Sequence, residues 1–262
     1  MFDVHYHLIF GVDDGPKTIN DSIALAEASI AEGVTHIVAT PHANLRYPFQ
    51  PELNLERLEM IKMSFEGRLT LGLGCEFHLS YDNIADLERH PGRYTVNGKQ
   101  YLLVEFAELV IPRSLSDVLL RMRDSGIVPV ITHPERNPVL AADPQRLDEW
   151  IEIGCLLQVT AGSLLGDFGR KAESVALDLI RRNRVHLVAS DAHAMSWRPP
   201  SMRRAYDLLQ GQFGQATADR LCLRNPRAVF FGEHLPPQPK PAEGPVRRQS
   251  RKRGLLSRLL GK

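Results

Sequence analysis

Histidines and carboxylates recur in this 262-residue chain at one kind of place, directly after short apolar runs. His5 and His7 stand two apart in FDVHYH, a spacing that puts both imidazoles on one face of an extended strand. Asp13 and Asp14 follow in the next loop, and His42 closes ATPH. Glu76 follows LGLGC, Glu105 follows LLV, His133 follows VIT, and Asp191 and His193 follow HLVAS. A charge placed directly after a buried run needs a partner, because desolvating it alone is costly. Divalent metal ions supply that partner. Imidazole and carboxylate donors without thiolate favour manganese, iron or zinc over copper(I) or a structural thiolate zinc site. The donors outnumber what one ion needs, so two or three ions sharing at least one carboxylate fit better. Such clusters acidify a water and clamp ester oxygens, which is the chemistry of phosphate-ester hydrolysis. Arg136, three residues after His133, and Arg198, five after His193, are placed to brace phosphate oxygens. The plainer reading of each arginine is a surface salt bridge.

The elements that must position these residues alternate along the chain. Strands are predicted at Phe2–Val4, His36–Ala39, Leu69–Gly72, Tyr101–Val104, Val128–Thr132, Leu156–Val159 and Val185–Ala189. Helical periodicity fills the intervals, at Ile19–Glu32, Leu53–Phe65, Leu115–Asp124, Gln145–Ile153 and Lys171–Arg182, with further segments around Met202–Gln212 and Thr217–Leu223. Asn20 or Asp21 is a candidate cap for the first helix and Ser114 for the third, with Gly33 and Gly126 as their terminators. Seven strands alternating with helices imply a parallel sheet, closed or nearly closed into a barrel at this length. The strand ends of such a barrel share one face, and active sites are built there.

Composition is that of a folded α/β body, with 43% hydrophobic and 24% charged residues. The net charge of +1 conceals an asymmetry. Residues 1–235 carry 24 basic and 30 acidic side chains, a charge of −6, whereas 236–262 carry eight basic and one acidic, or +7. A mildly acidic body is unlike a nucleic-acid-binding domain and suits a protein that gathers cations. Two segments are therefore expected, a body at 1–235 and a proline-rich, basic, disordered tail at 236–262. In the tail, Leu255, Leu256, Leu259 and Leu260 could line one helical face, so contact with an anionic membrane or an acidic partner stands beside plain solubilisation. There is no signal-peptide pattern at the start and no apolar run near the roughly 18 residues that span a bilayer, so a cytoplasmic body is expected, with peripheral contact to the inner face of the membrane as an option.

Cys75, Cys155 and Cys222 form no CxxC pair and read as isolated thiols in a reducing compartment. A cysteine-dependent tyrosine phosphatase needs C-x5-R, and the sixth residue after each cysteine is Tyr81, Ala161 and Ala228 respectively. Phosphate-ester hydrolysis here would need metal-activated water rather than a cysteinyl intermediate. His36 and His186 begin strands at the opposite end and read as structural, His78 is the least certain histidine, and Asp13 competes with Asp14 for a place in the site. Tyr6 and Phe49 are expected to pack, with stacking on an aromatic substrate as the alternative.

The ordered set HYH, DDGP, ATPH, GCEFHLS, LLVEF, THPER and SDAH resembles the PHP (polymerase and histidinol phosphatase) superfamily, and within it the capsule-locus tyrosine phosphatases of the CpsB type. The likeness runs from Met1 to about Gly232, and the loop NLRYPFQPEL is where the sequence departs most freely from it. It implies a distorted (β/α)7 barrel with three divalent ions, commonly manganese. By that resemblance His5, His7, Glu76 and Asp191 would hold one ion, and Glu76 would bridge to a second held by Glu105 and His133. Asp14, His42 and His193 would hold the third. Arg136 and Arg198 match the family's phosphate-binding arginines, and His42 or Asp14 would help orient water. The implied substrate is a phosphotyrosine protein, a membrane-associated bacterial tyrosine kinase regulating capsular or exopolysaccharide synthesis. A histidinol-phosphatase-like activity on small molecules and a non-catalytic regulator are the alternatives.

Overall fold

The computed structural model describes residues 1–242, and the strands carry the order of the fold. They are β1 Phe2–Tyr6, β2 His36–Ala39, β3 His42–Ala43, β4 Thr70–Leu73, β5 Glu76–His78, β6 Tyr101–Glu105, β7 Val128–Thr132, β8 Leu156–Thr160 and β9 Leu187–Ala189. All pair in parallel, in two sheets ordered β1-β2-β4 and β3-β5-β6-β7-β8-β9. β3 and β5 are the short continuations of β2 and β4 beyond Pro41 and Gly74-Cys75. Backbone bonds Gly74 N to Ala39 O (2.9 Å) and Glu76 N to Pro41 O (3.0 Å) carry the pairing across both breaks. At the far edge Tyr6 bridges Ala192, with His7 N on Ala192 O and Asp191 N on His5 O, both at 2.9 Å. The end of β1 therefore lies beside the segment that leaves β9.

The helices are α1 Ile19–Ala31, α2 Pro51–Lys62, α3 Tyr81–Arg89, α4 Leu115–Asp124, α5 Pro138–Ala142, α6 Pro144–Glu152, α7 Ala161–Leu164, α8 Gly169–Arg181, α9 Met202–Phe213, α10 Gln215–Asp219 and α11 Asn225–Phe231. The first begins differently from the sequence expectation. Thr18, not Asn20 or Asp21, is its cap, and Asp21 returns the bond to the Thr18 backbone in a capping box. Ser114 makes no cap hydrogen bond. Gly33 and Gly126 do follow their helices with φ of 86° and 87°, the left-handed turn that a Cβ would oppose.

Strand alternation divides the interior. Ile37, Leu102, Val104, Ile131, Leu157 and Val188 face the helices, joining Leu25, Leu58, Leu119 and fully buried Trp150. Val4, Val38, Leu103, Val130 and Leu187 face away from them and are closed at one end by Val229 and Phe230 of α11. Burying one such side chain is worth about 1.5–3 kcal/mol, so both faces hold the strands in register. Residues Pro236–Ala242, read from sequence as the start of the tail, lie against the body. Gln238 bonds Asn225 (2.9 and 3.0 Å) and Arg220 (3.0 Å), Asn183 donates to Lys240 O (3.3 Å), and Ala242 N donates to Arg182 O (2.9 Å). The rest of the tail, with its basic residues and leucines, lies outside the described residues. Among those described, no helix is long and apolar enough to cross a membrane.

Candidate metal centre

Register on the face turned away from the helices places the polar residues. Glu76 pairs with Leu103 and His42 with Glu76, so these three share a row, while Glu105 lies two residues beyond Leu103 on that same face. His5 and His133 are one position out of phase and reach the site by local distortion. The β1–β2 register slips between Asp3 and Tyr6, and such a bulge re-aims a side chain. His133 turns through a left-handed backbone, φ 34°, immediately after β7. Asp191 has φ 54° just after β9. A non-glycine residue held there costs on the order of 1–3 kcal/mol, and such strain gathers at functional sites.

Every histidine and carboxylate that the sequence assigned to the site converges on one volume, except Asp13, which stands behind it. Glu76 is the centre. Its Oε1 lies 2.7 Å from His133 Nε2 and 3.3 Å from His5 Nε2, and its Oε2 lies 3.1 Å from His42 Nδ1 and 3.4 Å from His7 Nε2. Asp191 divides its two oxygens. Oδ1 faces His5 Nε2 (3.4 Å), His7 Nε2 (3.5 Å) and His193 Nδ1 (3.5 Å), whereas Oδ2 accepts from both Arg198 Nη1 (2.9 Å) and Arg136 Nη1. Asp14 Oδ1 sits between His42 Nε2 (3.4 Å) and His193 Nε2 (3.5 Å), and Glu105 Oε2 is 3.6 Å from His42 Nδ1. Four groups of donor atoms are close enough to share an ion: His7, Asp14, His42 and His193; His5, His7 and Glu76; His5, His133 and Asp191; and His42, Glu76 and Glu105.

The donor set fits divalent ions on an observation of its own. His5 Nε2, His7 Nε2, His42 Nδ1, Asp14 Oδ1 and Asp191 Oδ1 are all buried without a hydrogen-bond partner. Buried polar atoms are almost always satisfied, and five orphans facing one another from the end of β1 and its loop, from β3 and from the end of β9 mark a place built for cations. The titration of the cluster agrees. Burial opposes protonation of His42, yet Asp14 and Glu76 lift it to about 11, and Asp13 lifts His7 to about 9 against the same opposition. Burial and the neighbouring Glu76 charge push Glu105 up to about 7. Glu76 and Asp191, although buried, are held well below the usual carboxylate range by the surrounding imidazoles, and Asp191 also by Arg136. Asp13, Asp14 and Glu76 thus hold protons on His7 and His42, whereas burial, with Arg136 beside His133 and His7 beside His193, lowers those two imidazoles to about 4 and leaves them free to donate a lone pair.

A supporting shell fixes the imidazoles. Asp13 Oδ2 accepts from His7 Nδ1 (2.7 Å) and from the His42 backbone N (3.2 Å), while Oδ1 accepts from Gly15 N (2.9 Å). Asp13 thus orients, and Asp14 faces the other donors. Gln158 Oε1 takes His5 Nδ1 at 2.8 Å, the arrangement that sets tautomer and ring angle in metal sites. Gln158 escaped sequence reading, although a lone polar residue inside LLQVT was its signal. Glu135 was also missed. It is buried, accepts from Thr160 N (3.0 Å) and Ser163 Oγ (2.7 Å), and so ties the β7 turn to the start of α7.

Other histidines and aromatics stand apart. His36 stacks on Phe2 with centroids 4.2 Å apart, and buried His186 accepts from Leu157 N at 3.1 Å. His78 is half-buried and joins none of the donor groups. Tyr6 is fully buried with its hydroxyl on Leu25 O and Ser29, and Phe49 packs near Tyr94. The aromatics beside the site histidines are instead Tyr47, stacked 5.8 Å from His42, and Trp197, 5.1 Å from His193. All three cysteines are buried and burial raises each thiol, Cys155 to about 12, so none is available as a thiolate nucleophile.

Comparison with known proteins comes to the same ground. Residues 1–231 match the family model described as capsular polysaccharide synthesis, CpsB/CapC. The tyrosine-protein phosphatase CpsB of Streptococcus pneumoniae is 33% identical over 242 residues, covering 89% of this chain and 99% of its own. The tyrosine-protein phosphatase YwqE of Bacillus subtilis is 32% identical over 249 residues, covering 91% and 96%. A chain from the crystal structures of YwqE and CpsB, described as unique metal-dependent tyrosine phosphatases, superposes with a TM-score of 0.85 at 30% identity, over 93% of this chain and 100% of that one. A β-aspartyl dipeptidase from Fervidobacterium islandicum, 14% identical with a TM-score of 0.58 over 88% and 74% of the two chains, shares the fold alone.

Proposed function

This chain belongs to the CpsB/CapC family, and from that footing we propose that it is a metal-dependent protein-tyrosine phosphatase. The observation that carries the reading is the set of five orphaned, buried donor atoms facing one another around Glu76, with two arginines on the adjacent oxygen of Asp191. We read the β1–β9 order and the Tyr6–Ala192 bridge as a distorted (β/α)7 barrel.

His5, His7, Glu76 and Asp191 would hold one ion, Glu76, Glu105 and His133 a second, and Asp14, His42 and His193 a third, with manganese the expected metal. Divalent ions bound there would supply an acidified water and neutralise charge on the phosphoryl group. The chain's own residues do the rest. Arg136 and Arg198 present charge-assisted donors to the phosphoryl oxygens, and their positions are set in advance by Asp191 Oδ2. Asp14 and His42, joined at 3.4 Å, orient the attacking water. Asp13 and Gln158 keep His7 and His5 in fixed tautomers.

The substrate we assign is a membrane-associated tyrosine kinase of polysaccharide synthesis, met at the cytoplasmic face, where the +7 tail would be drawn to anionic lipid. Purified protein assayed with manganese against phosphotyrosine peptides and histidinol phosphate tests the activity. Preference for the peptides, abolished in Arg136→Ala, is expected. Turnover confined to histidinol phosphate, or none at all, overturns it. Loss of liposome co-sedimentation at low salt on deleting 236–262 is expected for the tail, and unchanged binding refutes that part.

A further inference from the structure

We infer that Phe168 is a positioning residue for the two arginines, holding their like charges together through its ring. The inference rests on the phosphatase reading for what the arginines bind. Arg136 and Arg198 each place Nη1 on the same oxygen, Asp191 Oδ2. Sharing one oxygen brings two guanidinium groups close together, and like charges at that separation repel each other. The Phe168 ring lies 4.3 Å from the Arg136 guanidinium carbon and 5.2 Å from that of Arg198. An aromatic face is electron-rich, so one ring within about 6 Å of two cations offsets part of their repulsion. Trp197 reaches Arg198 as well, at 4.9 Å, but not Arg136. Phe168 is the aromatic residue shared by both.

The backbone is shaped to present that ring. Phe168 stands in GDFG, between Gly166 at φ 84° and Gly169 at φ 83°. Asp167 N returns to Gly162 O (2.9 Å) and Gly169 N to Gly166 O (2.9 Å), folding the loop over α7. A Cβ on Gly162 would stand 3.0 Å from Phe168 Cε2, so the absence of a side chain at 162 lets the ring settle. Phe168 and Arg136 also line one cavity of about 290 Å³ that includes Glu105 and His133 of the metal centre. The ring therefore lines the space between the arginines and the metal centre without itself carrying a group that reacts.

Fluorination tests this without changing the ring's shape. Phenylalanine analogues with one, two and three ring fluorines at position 168 withdraw electrons stepwise. kcat/KM on a phosphotyrosine peptide is expected to fall with each fluorine, by about 10-fold in total, the equivalent of a 1.4 kcal/mol cation–π contribution. Phe168→Leu is expected to lose as much and Phe168→Trp to retain most activity, with unchanged melting temperatures. Calorimetric affinity of the manganese-loaded protein for inorganic phosphate is expected to weaken in the same order. A flat fluorine series in both assays overturns the inference while leaving a wild-type phosphotyrosine activity intact. Phosphate affinity that weakens along the fluorine series, with a wild type that hydrolyses no phosphotyrosine, overturns the phosphatase reading and leaves Phe168 in its role.

Discussion

Replacing Asp13 with asparagine separates the residues that orient the centre from those that would hold ions. The carboxylate makes three hydrogen bonds, to His7 Nδ1, His42 N and Gly15 N. Asn keeps the shape but offers one acceptor oxygen for the work of two, and it turns an amide NH2 toward a donor. A hydrogen bond to a charged group contributes about 1.5–3 kcal/mol, which converts to about 10- to 150-fold in an equilibrium constant at 1.4 kcal/mol per decade. Loss of the carboxylate behind a metal-ligating imidazole spans about 10- to 100-fold. Asp13→Asn is therefore expected to raise the manganese concentration for half-maximal activity by about 10- to 100-fold, with most of the rate recovered at saturating metal. Asp14→Asn, which alters a group facing His42 and His193, is expected to lose rate that added metal does not restore. Histidine titration by NMR in the chelator-treated protein gives a second reading. His7, lifted to about 9 chiefly by Asp13 against burial, is expected to drop below 6.5 in Asp13→Asn. A metal requirement within threefold of wild type, or an unmoved His7, would refute the orienting role.

Three further outcomes follow from the same geometry. Arg136→Lys and Arg198→Lys keep the charge but lose the planar fork, so each is expected to lower kcat/KM by about 10²-fold; because both share Asp191 Oδ2, the double variant should lose less than the product, and strict additivity would count against the shared anchor. Iodoacetamide is expected to leave the folded enzyme active, since all three thiols are buried with raised pKa values, and rapid inactivation would point to a cysteine route. His186, lowered by burial and then by Arg220 from 6.5 to about 4, binds its proton less well folded than unfolded; its contribution is complete above pH 6.5, is lost as pH falls toward 4 and levels off below, on the order of 3 kcal/mol at most. Urea unfolding of wild type and His186→Asn across that window should diverge least at low pH, and a constant difference would refute the assignment.

The metal centre was legible because its signal is compositional and positional together. LLVE and HLVASD put acid directly after buried strand, and no solvated-face explanation accommodates that. The helices at Ile19–Ala31 and Leu115–Asp124 were equally readable from their period and their terminal glycines. β3 and β5 were not, because strands of two and three residues are too short to display alternation. Their effect is substantial, since they place His42 and Glu76 in register with Leu103. The bulge at His5 and the left-handed turn at His133 are likewise invisible in sequence, because neither needs a glycine or a proline. Asp13 and Asp14 could not be told apart by type; only the direction of each side chain separates the orienting group from the one inside. Phe168 belongs to the same class. A phenylalanine between glycines reads as a turn, and its value depends on two arginines, 32 residues before it and 30 after it in the chain.

The central claim is that Glu76 and its neighbours hold divalent ions that make the hydrolysis possible. Its most direct test strips the purified protein with chelator and then restores manganese, recording bound metal per chain beside the rate on a phosphotyrosine peptide. The rate is expected to vanish with the metal and to return as about three ions rebind, and His5→Ala should bind fewer and stay inactive. A chelated, metal-free protein that still releases phosphate from the peptide would contradict the account.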